Sequence, residues 1–184
     1  AKGTVNPRVF IDRLAKKMPA NVTVVADVGQ NQIWTCTEYK FRKEGRLLTS
    51  GGMGTMGYSV PAAIGAKMAD NSRATVAICG DGAFQMSFME LATAVQFGVD
   101  IKVVVMTNNR LGMVRELQTN GYHDRQTAVF LDGSPDFIKL AEAYGIPAMR
   151  VYDDDTMEKG VEMLAEHKGI CLVEVVVDKD MPTL

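Results

Sequence analysis

The chain has 184 residues, of which 47% are hydrophobic and 23% charged, with a formal charge of −2. A chain of this length makes one domain that can bury roughly 70% of its unfolded surface, and the composition indicates neither a disordered nor a membrane protein. No basic stripe is available for nucleic acid, and the apolar runs are broken by Asp100, Lys102 or Glu174 before they could span a membrane.

Cys36, Cys79 and Cys171 are scattered and joined only by His123 and His167, which argues against a disulfide framework or a zinc site. The N-terminal stretch has no apolar core or cleavage pattern of a leader. The expectation is a cytoplasmic protein, one domain over residues 1–184, and a piece of something longer.

In chain order, Asn6 to Met18 carries apolar residues at helical spacing, opened by an Asn6 cap and Pro7 at the first helical position. Val22 to Ala26 is a β-branched run fit for a buried parallel strand and ends in the polar stretch Asp27 to Gln32. Trp34 to Arg46 has no clear period and is read as a short helix and a loop. Four glycines fall between Gly51 and Gly57, a density that lets backbone approach a ligand closely, and small residues suited to a tightly packed helix follow from Pro61. Thr75 to Cys79 is the next strand; after a Gly80-Asp81-Gly82 turn come one amphipathic helix and a second buried strand, which runs out at Asn108 and Asn109. Thr119 to Leu131 is polar and reads as a mobile loop. A helix capped at Ser134-Pro135-Asp136 stops at Gly145, Ala148 to Tyr152 is a strand, a helix runs from Asp155 to His167, and Ile170 to Val177 is the last strand. The alternation predicts an α/β fold: an open, mostly parallel sheet with helices on both faces.

Ligands of such sheets bind outside the strands' carboxyl ends, so polar residues there are the informative ones. Asp81 and Asn108 stand 27 positions apart, the span of one strand–helix–strand crossover, which sets a carboxylate beside an amide. That pair suits Mg²⁺, a hard cation with oxygen ligands at about 2.1 Å that shares its shell with phosphates. A backbone carbonyl near Arg110 is within reach as a third oxygen, and the amides after Gly82 add partial positive charge. The competing reading is a plain turn with Asp81 capping the next helix. No GxGxxG follows the first strand and no GxxxxGK[ST] occurs, which weakens nicotinamide and P-loop readings.

Five ordered segments resemble a known family: Asp27-Val28-Gly29-Gln30-x-Gln32, Ser50 to Gly57, Gly80 to Met86, Glu90 to Ala94, and Leu111-Gly112-Met113-Val114. Together they resemble the C-terminal, diphosphate-binding domain of thiamine-diphosphate enzymes, most of all the acetolactate (acetohydroxyacid) synthase large subunit. The resemblance implies thiamine diphosphate and Mg²⁺ as cofactors, with the metal on Asp81, Asn108 and the Arg110 carbonyl. It implies that Gln30 and Asn31 reach the diphosphate, together with amides at Gly82, Ala83, Gly112 and Met113 beside Gly80. It also implies that Met56 bends the cofactor, that the Gly54 carbonyl accepts from the pyrimidine amino group, and that Met86 packs on the thiazolium. An isolated methionine would be read as ordinary core filling.

Three departures bear on this likeness. The family's paired asparagines read Thr107-Asn108, so a slip of one position would make Asn109 the ligand; a common histidine is Asn31; and the tryptophan that shapes the acceptor pocket is Leu117. The activating glutamate belongs to a separate N-terminal pyrimidine-binding domain and matches nothing here; Glu38, Glu90 and Glu116 read as helix or surface residues. The resemblance implies a domain inactive alone, part of a homodimeric enzyme of branched-chain amino-acid biosynthesis that decarboxylates pyruvate and condenses it with a second 2-ketoacid. The alternatives are another thiamine-diphosphate decarboxylase or oxidase and, from a different class, a non-catalytic α/β interaction module.

Overall fold

The computed structural model describes residues 3–184. Six strands, β1 (Thr23–Ala26), β2 (Arg46–Thr49), β3 (Thr75–Gly80), β4 (Lys102–Thr107), β5 (Ala148–Val151) and β6 (Cys171–Val176), form one parallel sheet in the order β2-β1-β3-β4-β6-β5. The interior strands are apolar on both faces because both faces are covered. Val24, Val76, Ile78, Val104 and Val173 enter one core; Val25, Ala77, Cys79, Val103, Val105 and Leu172 enter the other.

Helices α1 (Pro7–Lys17), α2 (Gln30–Glu38) and α8 (Asp154–Glu166) cover the first face. Helices α3 (Ser59–Ala69), α4 (Asp81–Gln85), α5 (Leu91–Gln96) and α7 (Phe137–Ala143) cover the second. The chain leaves β1 through α2 toward β2, and leaves β3 through α4 and α5 toward β4 on the opposite side. These two connections diverge at the β1–β3 pair, and a crevice opens outside the carboxyl ends of that pair.

The caps follow their chemistry. Asn6 Oδ1 accepts from Arg8 N–H at 2.9 Å, Asp136 from Ile138 N–H at 3.0 Å, and Asp153 forms a capping box with Thr156. The charges inside buried strands are paired: Lys102 donates to Asp100 and to the His167 carbonyl, and Glu174 accepts from Arg150 at 2.7 Å.

Three expectations need correction. The short helix and loop read over Trp34 to Arg46 are present, but the helix, α2, begins four residues earlier at Gln30 and the loop leads into β2, an edge strand of four residues. The single helix after Asp81 is instead α4, a 3-10 turn at Phe88–Glu90 and α5. Ser87 breaks it at φ −143°, and on either side Phe84 packs edge-on to Phe137 with ring centroids 5.4 Å apart and Leu91 is fully buried. Helix α6 (Gly112–Gly121) takes the start of the stretch read as a loop. The remainder is tied back, with Leu111 N–H on the Val129 carbonyl and Leu131 N–H on the Asn109 carbonyl, each at 2.9 Å. Among the described residues no helix is long and apolar enough to cross a membrane.

Two glycines predict opposite outcomes for the same substitution. A Cβ on Gly160, in α8, would lie 2.6 Å from Val151 Cγ2 and 3.3 Å from Val173 Cγ1, whereas one on Gly65, in α3, meets nothing within 4 Å. Overpacking costs about 1–3 kcal/mol against a helix-propensity gain of about 1. Gly160→Ala is therefore expected to lower, and Gly65→Ala to raise, the urea midpoint at unchanged slope. A stabilised Gly160→Ala chain would contradict this packing.

Candidate functional site

At the crevice a cavity of ≈ 150 Å³ takes in every residue proposed from the sequence except Gly54 and Met86. Its walls are the N-terminal turns of three helices. Gly29, Gln30 and Asn31 open α2; Gly80 to Ala83 open α4; Leu111 to Val114 open α6. None of the three is closed by a capping side chain, so first-turn amides without intrahelical partners face one space. Helix dipoles and free amides together make an anion site.

Asp81 stands in the middle of it, 1% exposed. Its Oδ1 accepts from Gly82 N–H at 2.8 Å; its Oδ2 accepts from Asn109 N–H at 2.7 Å and Asn108 N–H at 3.2 Å. A carboxylate has about four acceptor sites, so one remains open. Burial pushes the Asp81 carboxyl up to about 6, with those three amides pulling the other way. Asn108 lines the cavity; its Oδ1 accepts from Arg110 N–H at 3.0 Å and keeps a second lone pair. The side chain of Asn109, at φ +54°, is exposed and not part of the wall. The Arg110 guanidinium turns to Asp132 at 2.7 Å and lies 4.7 Å from the Phe130 ring centroid.

A carboxylate inside an anion site repels the anion unless a cation separates them. The open acceptors on Asp81 and Asn108, among amides, fit a hard divalent cation that carries phosphate oxygens. Among the described residues no three His, Cys, Asp or Glu side chains converge as a metal cluster, so the remaining ligands of such a cation would be backbone, phosphate or water.

Gln30 and Asn31 depart from the expectation that their side chains reach a diphosphate. Both Nδ2 hydrogens of Asn31 go to backbone carbonyls, Asp27 at 2.8 Å and Ile78 at 3.3 Å, which clamps β1 to β3. Gln30 Nε2 donates to the Met181 carbonyl at 2.9 Å and Thr183 Oγ1 at 3.1 Å, while its Oε1 accepts from Asn108 Nδ2 at 3.1 Å. Their contribution to the cavity is the amide end of α2. Gly29, at φ +143°, and Gly112, where a Cβ would lie 1.9 Å from Gln30 Oε1, are glycines because the walls close there.

Met56 lines the cavity, whereas Met86 is 53% exposed and Gly54 sits in the exposed glycine loop outside it. The apolar lining also includes Trp34 and Met106, which the sequence did not single out, and Val28, Leu111 and Val114 of the matching segments, which carried no assigned role. Asp27, fully buried, anchors the glycine loop: Oδ1 accepts from Val28 and Gly57 N–H at 2.9 and 3.0 Å, and Oδ2 from Ser59 N–H at 2.8 Å. Only its place at a strand end signalled it.

Residues 27–175 match the family model described as thiamine pyrophosphate enzyme, C-terminal TPP binding domain, and the chain belongs to that family. Among its relatives are an acetolactate synthase catalytic subunit of Aspergillus candidus, 39% identical over 99% of this chain and 26% of its own length, and an acetolactate synthase large subunit of Lactococcus lactis, 38% over 95% and 30%. The Escherichia coli acetolactate synthase isozyme 2 large subunit is 34% identical over 93% of the chain and 31% of its own length. The chain thus spans about a quarter to a third of the relatives it matches.

Proposed function

We propose that this chain holds the magnesium–diphosphate end of thiamine diphosphate in a larger enzyme that decarboxylates pyruvate and joins the product to a second 2-ketoacid. The observation that carries the reading is the convergence of three uncapped helix N-termini on the buried carboxylate of Asp81. When bound, thiamine diphosphate supplies the carbon nucleophile that attacks the ketoacid.

The chain's own residues bind and orient. Asp81, Asn108 and the Arg110 carbonyl would hold Mg²⁺, and first-turn amides at Ala83, Gly112 and Met113 would take phosphate oxygens; the Gly82 N–H expected to join them is instead held by Asp81 Oδ1 at 2.8 Å. Asp27 keeps the glycine loop in place through Gly57 and Ser59, so that Gly54 and Met56 stand ready for the pyrimidine end. A cavity of ≈ 150 Å³ suits one end of the cofactor, since sites that enclose a drug-sized ligand run to roughly 300–1,000 Å³. The remainder of the site and the activating glutamate are assigned to an N-terminal pyrimidine-binding domain, brought by a second subunit of a homodimer.

Calorimetry tests this directly. The isolated chain is expected to bind thiamine diphosphate with Mg²⁺ present, to lose that binding in excess EDTA, and to make no acetolactate from pyruvate. Metal-independent binding of equal strength, or turnover by the pure chain, overturns the reading. Leu117, 61% exposed on α6 where the synthases carry tryptophan, favours a second reading as another ketoacid decarboxylase or oxidase. Acetolactate against acetaldehyde or acetyl phosphate, measured with the full-length enzyme on pyruvate, separates the two.

A further inference from the structure

A chain of side-chain hydrogen bonds leads from the far side of α6 into the site. Glu116 Oε1 accepts from Thr183 N–H at 2.7 Å, and its Oε2 accepts from the Thr183 hydroxyl. Thr183 Oγ1 in turn accepts from Gln30 Nε2 at 3.1 Å, Gln30 Oε1 accepts from Asn108 Nδ2 at 3.1 Å, and Asn108 Oδ1 accepts from Arg110 N–H at 3.0 Å. Each link has a direction. An ionised carboxylate only accepts, so the Thr183 hydroxyl must donate to Glu116 and has only lone pairs left for its other neighbour. Gln30 therefore presents its NH₂ to Thr183 and its oxygen to Asn108. Asn108 must then present its NH₂ to Gln30 and its oxygen to the cavity.

The Met181 carbonyl, another obligate acceptor, takes the second Gln30 hydrogen at 2.9 Å and enforces the same sense. Both anchors of Gln30 thus lie on the segment Met181–Thr183. That segment is pinned by Glu116, by Trp34 Nε1 on the Pro182 carbonyl at 3.2 Å and by Arg8 on the Thr183 carbonyl at 2.8 Å.

We propose that Glu116 is a positioning residue for the metal site: acting through Thr183 and Gln30, its carboxylate joins the Met181 carbonyl and the Arg110 N–H in holding the amide orientation that turns Asn108 Oδ1 toward the cation. This rests on the reading of Asn108 as a metal ligand given above. Glu116 accepts from both the N–H and the hydroxyl of Thr183. A neutral amide at position 116 can donate as well as accept, so the hydroxyl loses its obligate acceptor and the relay keeps only the Met181 carbonyl and the Arg110 N–H to hold its sense.

The experiment uses the full chain and two readouts. Side-chain ¹H–¹⁵N resonances of Gln30 and Asn108 are recorded without ligand, and Mg²⁺ is titrated at fixed thiamine diphosphate by calorimetry. Glu116→Gln and Thr183→Val are each expected to shift or split the two side-chain resonances and to raise the Mg²⁺ half-saturation about tenfold, the lower end of what loss of an outer-shell partner costs. Thr183→Ser, which keeps the hydroxyl, is expected to restore both. Unchanged resonances and Mg²⁺ half-saturation in Glu116→Gln and Thr183→Val overturn the proposal, as does failure of Thr183→Ser to restore them. A wild-type chain that binds no magnesium–thiamine diphosphate refutes the reading of the site. The relay is then decided by the ligand-free resonances alone: movement in Glu116→Gln supports it and no movement overturns it.

Discussion

Asp81→Ala is expected to raise the dissociation constant for magnesium–thiamine diphosphate by at least about a hundredfold, the upper range for losing a partner of a metal site. The folded chain should survive. Of the three amides now satisfied by the carboxylate, at Gly82, Asn108 and Asn109, the first two belong to residues that line the cavity, where water can replace it. The same residue predicts a pH dependence in metal-free buffer. Burial holds the Asp81 carboxyl at about 6, above its ordinary value of 3.8, so the folded chain keeps its proton after the unfolded chain has released it. Stability from this group is therefore full below about pH 4 and falls as pH rises to about 6, by on the order of 3 kcal/mol. In EDTA, urea unfolding of wild type and Asp81→Ala across pH 4 to 7 should show the wild type losing ground to the variant as pH rises. Parallel curves would mean that the charge is not strained, and undiminished magnesium-dependent binding by the variant would remove Asp81 from the site.

The second large effect is one of stability. Asp27 is fully buried and holds three backbone amides from two segments 30 residues apart in the chain. Asp27→Ala leaves the Val28, Gly57 and Ser59 N–H groups without an acceptor, at about 1–3 kcal/mol for each one that stays buried, or about 3–9 kcal/mol if all three do. Against a usual total of about 5–15 kcal/mol, that brings the chain near unfolding at ordinary temperature. Asp27→Asn keeps one acceptor but turns an NH₂ toward one of the donors, so its cost is expected to be intermediate. Denaturant unfolding gives the magnitude, and limited proteolysis should find new cleavage between residues 50 and 58 as the glycine loop loses its clasp. A loss under 1 kcal/mol in Asp27→Ala would show that water reaches those amides.

The strands that form the middle of the sheet were legible because parallel strands covered on both faces are continuous β-branched runs. β1, β3, β4 and β6 each stand within a residue or two of where the pattern puts them. β2 was not, since Arg-Leu-Leu-Thr is a four-residue edge half open to solvent and reads no differently from a loop. The first turn of α2 escaped because the buried face of the helix includes Gln30, Asn31 and Thr35, whose burial is explained by hydrogen bonds to distant carbonyls or to the preceding turn rather than by apolarity. The site follows the same division. Asp81 and Asn108 were readable as strand-end neighbours. The commitments of Gln30 and Asn31, the clasp of Asp27 and the contact of Glu116 with Thr183 join positions up to 153 residues apart, and no local period encodes them.

The cavity is lined by residues from Val28 to Val114, and its Gln30 is held in turn by Met181 and Thr183, so the site is complete only once segments more than 150 residues apart have met. No early-formed portion of the chain can hold the ligand, which makes occupancy a report on completed folding. A ligand at a hundred times its dissociation constant adds about 2.7 kcal/mol to the native state and nothing to a partly folded one. Cofactor supply would then govern how much of the newly made polypeptide escapes proteolysis. The first sign of scarcity would be shortened lifetime of the protein, ahead of any fall in turnover per molecule.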